Sequence, residues 1–170
     1  STAQIPADST NSVITVTATD RAGNVSTPIS RSVVIDTAAP VAPVINTVAG
    51  NDIVNAAEKA AGITLSGTGE IGTTASITWG TYTTSTTVNN SGIWSVLVPS
   101  GSVPNDAPSS SVSVTLTDAA GNVSTAGTKS VRIDTGAPLA PVINAVAGDN
   151  LINAAEKAAG LNLSGTAAAE

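Results

Sequence analysis

The string Thr19-Asp20-Arg21-Ala22-Gly23-Asn24-Val25-Ser26-Thr27 returns as Thr117-Asp118-Ala119-Ala120-Gly121-Asn122-Val123-Ser124-Thr125, a displacement of 98 residues. The same spacing separates Asp36 from Asp134 and Glu58 from Glu156, so no insertion or deletion interrupts the register. A fixed period of this size means consecutive modules of one design rather than a single catalytic globule. The chain is cut out of phase with that period. Residues 1–38 are the C-terminal part of one repeat, 39–136 a complete repeat, and 137–170 the N-terminal part of the next.

Within the complete repeat the residues alternate at the period of a strand. Ile63-Thr64-Leu65-Ser66 alternates apolar with polar, and Ala75-Ser76-Ile77-Thr78-Trp79 does so again, with Ile77 and Trp79 facing inward. Strands are also expected at 44–48, at 82–88 as a Thr-rich edge, at 93–98, around 112–116 and over 123–133. Trp94, Val96 and Val98 share one face of their strand; Val112, Val114, Leu116, Val131 and Ile133 also point inward. Asn55 followed three residues later by Glu58 is a capping-box pattern, which predicts one helical turn ending near Gly62. Seven short strands in about 98 residues predict an all-β, immunoglobulin-like β-sandwich, repeated in tandem. The partial repeats follow the same template but neither holds a whole sandwich.

Composition narrows the chemistry. Cys is absent, which rules out disulfides, and with no His either zinc and copper lack their preferred ligands and are not expected; no nucleophile-elbow or phosphate-loop pattern is present. An enzyme is therefore not expected. Six Lys and Arg against twelve Asp and Glu give a net charge of −6, which disfavours nucleic acid. No run of apolar residues is long enough for membrane insertion of this segment.

The acids fall mainly between the expected strands. If strands run alternately up and down, Asp36, Glu70, Asp118 and Asn122 gather at the upstream pole of the repeat. Asp52, Glu58, Asp106 and Asp134 gather at the downstream pole, and Asp20 with Asn24, and Asp149 with Glu156, repeat the pattern in the neighbours. Abutting poles would bring like charges together, at a cost of several kcal/mol at ~4 Å under an effective dielectric of about 20. A hard dication would reverse that, and Ca²⁺ accepts carboxylate, amide and carbonyl oxygens in adaptable geometry. Plainer roles stand beside this one: Asp118 as a turn residue, Glu58 as a capping residue, Asp36 as a solvated linker residue, Glu70 and Asp106 as ordinary loop acids, and both tryptophans as core.

The strings Asp118-Ala119-Ala120-Gly121-Asn122-Val123-Ser124, Ile133-Asp134-Thr135-Gly136-Ala137-Pro138 and Gly148-Asp149-Asn150-Leu151-Ile152-Asn153 resemble the bacterial Ig-like repeats of giant, type I-secreted surface adhesins, the biofilm-associated large repetitive proteins of Gram-negative bacteria. The resemblance covers the whole chain. It implies extracellular, cell-surface tandem domains serving adhesion, binding Ca²⁺ near their junctions and forming a stiff rod, with neighbouring repeats as partners. The ligand positions it implies are Asp20, Asp36, Asp52, Glu58, Asp118, Asp134, Asp149 and Glu156. One departure is visible: Asp149-Asn150 stands where the preceding repeat has Asn51-Asp52. The alternative reading is a module that itself grips a host-cell glycan or protein, for which Tyr82 is the aromatic expected to be exposed. A spacer within a secreted hydrolase is a further alternative.

Overall fold

The structure is a computed structural model that describes residues 5–168, and the chain divides into two compact units, 1–134 and 135–170. The first unit begins with an antiparallel hairpin of β1 (Ser9–Val16) and β2 (Ile29–Ile35). The complete repeat follows as β3 (Val44–Ile45), β4 (Ile53–Val54), helix α1 (Ala56–Ala61), β5 (Ile63–Thr68), β6 (Thr74–Trp79), β7 (Tyr82–Thr87), β8 (Ile93–Val98), β9 (Ala107–Thr117) and β10 (Gly127–Ile133). Its strands form two sheets, β3-β5-β8 and β4-β10-β9-β6-β7. Every pairing is antiparallel except that of β4 with β10, which is parallel.

Alternation builds the core. Ile63, Leu65, Ala75, Ile77, Trp79, Trp94, Val98, Val112, Val114, Leu116, Val131 and Ile133 are all buried in one cluster, as the period-two reading requires. The smaller sheet is tightest at Gly67 of β5, where an added Cβ would stand 1.9 Å from the Val44 carbonyl oxygen and 2.6 Å from the Trp94 ring. Only a residue without a side chain allows that contact. Trp79 Nε1 donates to Ser110 Oγ at 2.9 Å, whereas Trp94 Nε1 is buried without a partner among the described residues. In the hairpin, Ile14 and Val16 keep the inward pattern of their period partners yet are exposed.

The elements differ from expectation in three places. The strand expected over 44–48 pairs only at Val44–Ile45; Ala49, Gly50 and Asp52 then take positive φ and turn the chain into β4, which crosses to the other sheet. The strand expected over 123–133 begins at Gly127, because Ser124 leaves the ladder: its Oγ accepts from the Leu116 N–H at 2.9 Å while its own N–H donates to the Leu116 carbonyl. Strand β9 starts at Ala107, five residues ahead of the strand expected around 112–116. Helix α1 does form the capping box, with Asn55 Oδ1 accepting from Glu58 N and Glu58 Oε2 from Asn55 N.

The second unit carries β11 (Val142–Ile143), helix α2 (Ala154–Ala159) and β12 (Gly165–Thr166), with β11 antiparallel to β12 as β3 is to β5.

Candidate functional site

The acidic turns are built by their own side chains. In the turn after β9, Asp118 Oδ1 accepts from the Ala120 and Asn122 N–H groups, both at 2.9 Å, and Oδ2 accepts from Asn122 Nδ2 at 2.9 Å. Asp20 repeats each bond, with Ala22 N at 2.9 Å, Asn24 N at 2.8 Å and Asn24 Nδ2 at 2.8 Å. The bond from Asn122 favours the ionised form and holds the Asp118 carboxyl below its ordinary value; desolvation opposes it, and the backbone N–H groups add to it. Asn24 does the same for Asp20. Gly23 and Gly121, each at φ 94°, supply the left-handed residue that closes the turn.

This turn lies against the linker that precedes the repeat. Asn122 Nδ2 donates to the Asp36 carbonyl oxygen at 3.1 Å, across 86 residues of sequence. Ala119 and Ala120 share a recess with Ile5, Val34, Ile35, Asp36 and Thr37. The linker is held from its own side too: Asp36 Oδ1 accepts from Ala38 N at 3.1 Å, and Asp8 accepts from Thr37 N at 3.1 Å and Thr37 Oγ1 at 2.7 Å. Asp8 is missing from the sequence-derived set, although it stands 98 residues before Asp106 and the period alone could have found it.

The remaining candidates divide. The Glu70 side chain is exposed, while its carbonyl oxygen accepts from Thr73 N and Oγ1. Asp52 is already engaged by nitrogen donors. It sits beside β10, where Oδ1 accepts from Val48 N at 2.8 Å and Oδ2 pairs with Lys129 Nζ at 3.0 Å. Desolvation raises its pKa, but the Val48 N–H and Lys129 outweigh it and leave the carboxyl below its ordinary value. Glu58 and Glu156 each use Oε2 to cap a helix start. Asp134 and Asp106 do share the downstream recess, together with Arg132, whose guanidinium pairs with Asp134.

The swapped pair at 51–52 and 149–150 is also explained. Val48 N donates to Asp52 Oδ1 and Ile53 N to Asn51 Oδ1; Val146 N donates to Asn150 Oδ1 and Leu151 N to Asp149 Oδ1. Both positions need only an acceptor oxygen, and Asp and Asn each supply one. The second position has positive φ in both repeats, 61° at Asp52 and 64° at Asn150, which these two residue types tolerate best among non-glycines.

Among the described residues no three carboxylates gather within reach of one ion. The linker seam nevertheless offers only hard oxygen donors, the carboxylates of Asp36 and Asp118 and the Asp36 carbonyl, flanked by Asp8. That donor chemistry fits Ca²⁺ in kind, with further oxygens needed to reach six to eight.

Residues 39–132 match the bacterial Ig domain family, and residues 1–37 match a bacterial Ig-like domain family. Among curated proteins, none matches the chain. Among solved structures, a Ca²⁺-stabilized adhesin that helps an Antarctic bacterium reach out and bind ice is 35% identical over 94% of this chain and 40% of its own, at a TM-score of 0.48. A 1.5-MDa bacterial ice-binding adhesin, solved for its retention at the host cell surface, is 34% identical over 92% of this chain and 52% of its own, at a TM-score of 0.52. An immunoglobulin-like domain of the M. primoryensis ice-binding adhesin is 32% identical over 57% of this chain and all of its own, at a TM-score of 0.44. The chain thus spans about half or less of the first two relatives. With the sandwich and the family match over residues 39–132, the chain belongs to the bacterial Ig-like domain family, as tandem repeats homologous to those of a giant bacterial adhesin.

Proposed function

We propose that this chain is a stretch of extender repeats from a bacterial cell-surface adhesin, stiffened by Ca²⁺ at the seams between repeats. Its role is mechanical: each repeat adds length and holds a distal adhesive part away from the cell, serving adhesion and biofilm formation. The C-terminal part of one repeat (1–38), the complete repeat (39–136) and the N-terminal part of the next (137–170) belong to that array, with no catalytic role, and the parent protein is exported to the surface by type I secretion. The observation that carries the reading is the contact of Asn122 with the Asp36 carbonyl, which lodges the acidic turn of one repeat against the linker leaving the repeat before it. The Ca²⁺ stabilisation described for a relative 35% identical to this chain supports it further.

The residues proposed to hold the ion at this seam are Asp36 and Asp118, with the Asp36 carbonyl, Asp8 and Asn122 beside them. Bound there, Ca²⁺ would neutralise carboxylates contributed from both sides of the linker. Asp20 and Asp134 would serve the equivalent seams, and Asp149, Glu156, Glu58, Asp52 and Glu70 are left with the turn, cap, ion-pair or loop roles described above. A site with Kd of about 10⁻⁴ M in roughly millimolar calcium would add about 1.4 kcal/mol to the docked state.

The test is small-angle scattering of a three-repeat protein in millimolar calcium and in chelator, alongside calorimetric titration. The expected outcome is a longer, stiffer particle with calcium, and heat of binding that Asp36→Ala and Asp118→Ala reduce. Equal dimensions in both buffers would refute it.

A further inference from the structure

At the end of the large sheet opposite the acidic turn, a cleft of about 600 Å³ opens between the β6–β7 turn and the loop leading into β9. Its wall is Gly80, Thr81, Tyr82 and Thr83 on one side and Gly101, Ser102, Val103, Pro104 and Asn105 on the other. The volume falls within the range of small-ligand sites, about 300–1,000 Å³. No side chain of this lining is charged. The cleft therefore offers no charged side chain to pair with a phosphate, a carboxylate or a metal ion, and a net charge of −6 on the whole chain disfavours anions further. It offers hydroxyls from Thr81, Thr83 and Ser102, an amide from Asn105 that both donates and accepts, and one aromatic ring. Tyr82 is half-buried: it packs partly against the core and lines the cleft with the rest of its surface.

The walls are held in place. Tyr82 is fixed opposite Trp79 at the last pair of the β6–β7 ladder. The facing loop is braced by a 3₁₀ turn at Ser100–Ser102, by buried Val103, and by Lys59 Nζ, which donates to the Pro104 carbonyl oxygen at 2.9 Å. Gly80 keeps the cleft open. It has φ of 60°, and an added Cβ would meet Pro104 Cγ at 3.1 Å.

We infer that this cleft is a binding site for a neutral sugar residue. A pyranose presents alternating hydroxyl donors and acceptors at its rim and a C–H face to an aromatic side chain, and the lining matches each with a neutral partner. The proposal stands apart from the calcium seam and does not depend on it.

The test is a titration of the 170-residue protein, followed by amide chemical shifts, with glucose, galactose, mannose, N-acetylglucosamine and lactose, and sialyllactose as an anionic comparison. The expected result is that at least one neutral sugar shifts the amides of residues 80–83 and 101–105 at millimolar concentration. Tyr82→Ala abolishes those shifts, and Asn105→Ala weakens binding roughly tenfold. If Tyr82→Ala fails to fold, Asn105→Ala and Gly80→Ala decide. Absence of shifts with every neutral sugar, shifts that survive the substitutions, or tighter binding of sialyllactose than of lactose would overturn the assignment.

Discussion

Asp118 shows how one carboxylate can carry both turn and seam. Its two oxygens close the turn, and Asn122, bonded to one of them, reaches on to Asp36. Its pKa is lowered in the folded chain, so its stabilisation is complete above the ordinary carboxylate value and is lost as pH falls through the depressed one. Asp20 and Asp52 act in the same sense. Thermal melts of the wild-type protein should therefore lose stability in acid, and Asp118→Asn, which has no carboxylate to protonate, should show a shallower acid loss; parallel pH profiles would contradict this. The tryptophans offer a second check. Trp79→Phe gives up the bond to Ser110, while Trp94→Phe removes an N–H that has no partner among the described residues. Denaturant titrations should place Trp79→Phe lower in stability by about 1 kcal/mol.

Strands that alternate strictly are legible from sequence, and the reason is burial on one face. Ile77 and Trp79, or Val112 and Val114, leave no other register in which the core is filled. The capping box is equally legible, because Asn55 and Glu58 act over three residues. Asn55→Ala should cost about 1 kcal/mol and Asn55→Ser much less, measured by chemical denaturation. Strand β4 is not legible. Its two residues pair in parallel with Arg132 and Ile133, far along the chain, and nothing local announces a partner that distant. The retreat of β10 to Gly127 depends in the same way on Ser124 meeting Leu116. Tyr82 is expected to be exposed, yet it is half-buried, since it shares the inward face of β7 with Thr84, Thr86 and buried Val88 and so meets the core.

At the level of the whole molecule, the sequence reveals the acids as a property of the loops but only partly as clusters. The turn after β9 does meet the linker, as the alternating strand directions require. Asp52 pairs with Lys129 on the neighbouring strand, and the Glu70 side chain stands exposed. Asp8 escapes a reading by strand direction because it lies in a partial repeat, where its pairing with Thr37 is visible only after folding.

The parallel staple between β4 and β10 has a consequence for a tether under load. Arg132 N donates to the Asp52 carbonyl at 2.9 Å and Asp134 N to the Val54 carbonyl at 3.0 Å, with the Lys129–Asp52 ion pair alongside. Because the two strands point the same way, drag transmitted through the chain ends pulls them past each other, and these bonds share the shear instead of peeling open in turn. In single-molecule stretching, Val54→Pro should lower the rupture force of the complete repeat. A substitution at an exposed position on the far edge strand, such as Ser85→Ala on β7, should leave that force near the wild-type value.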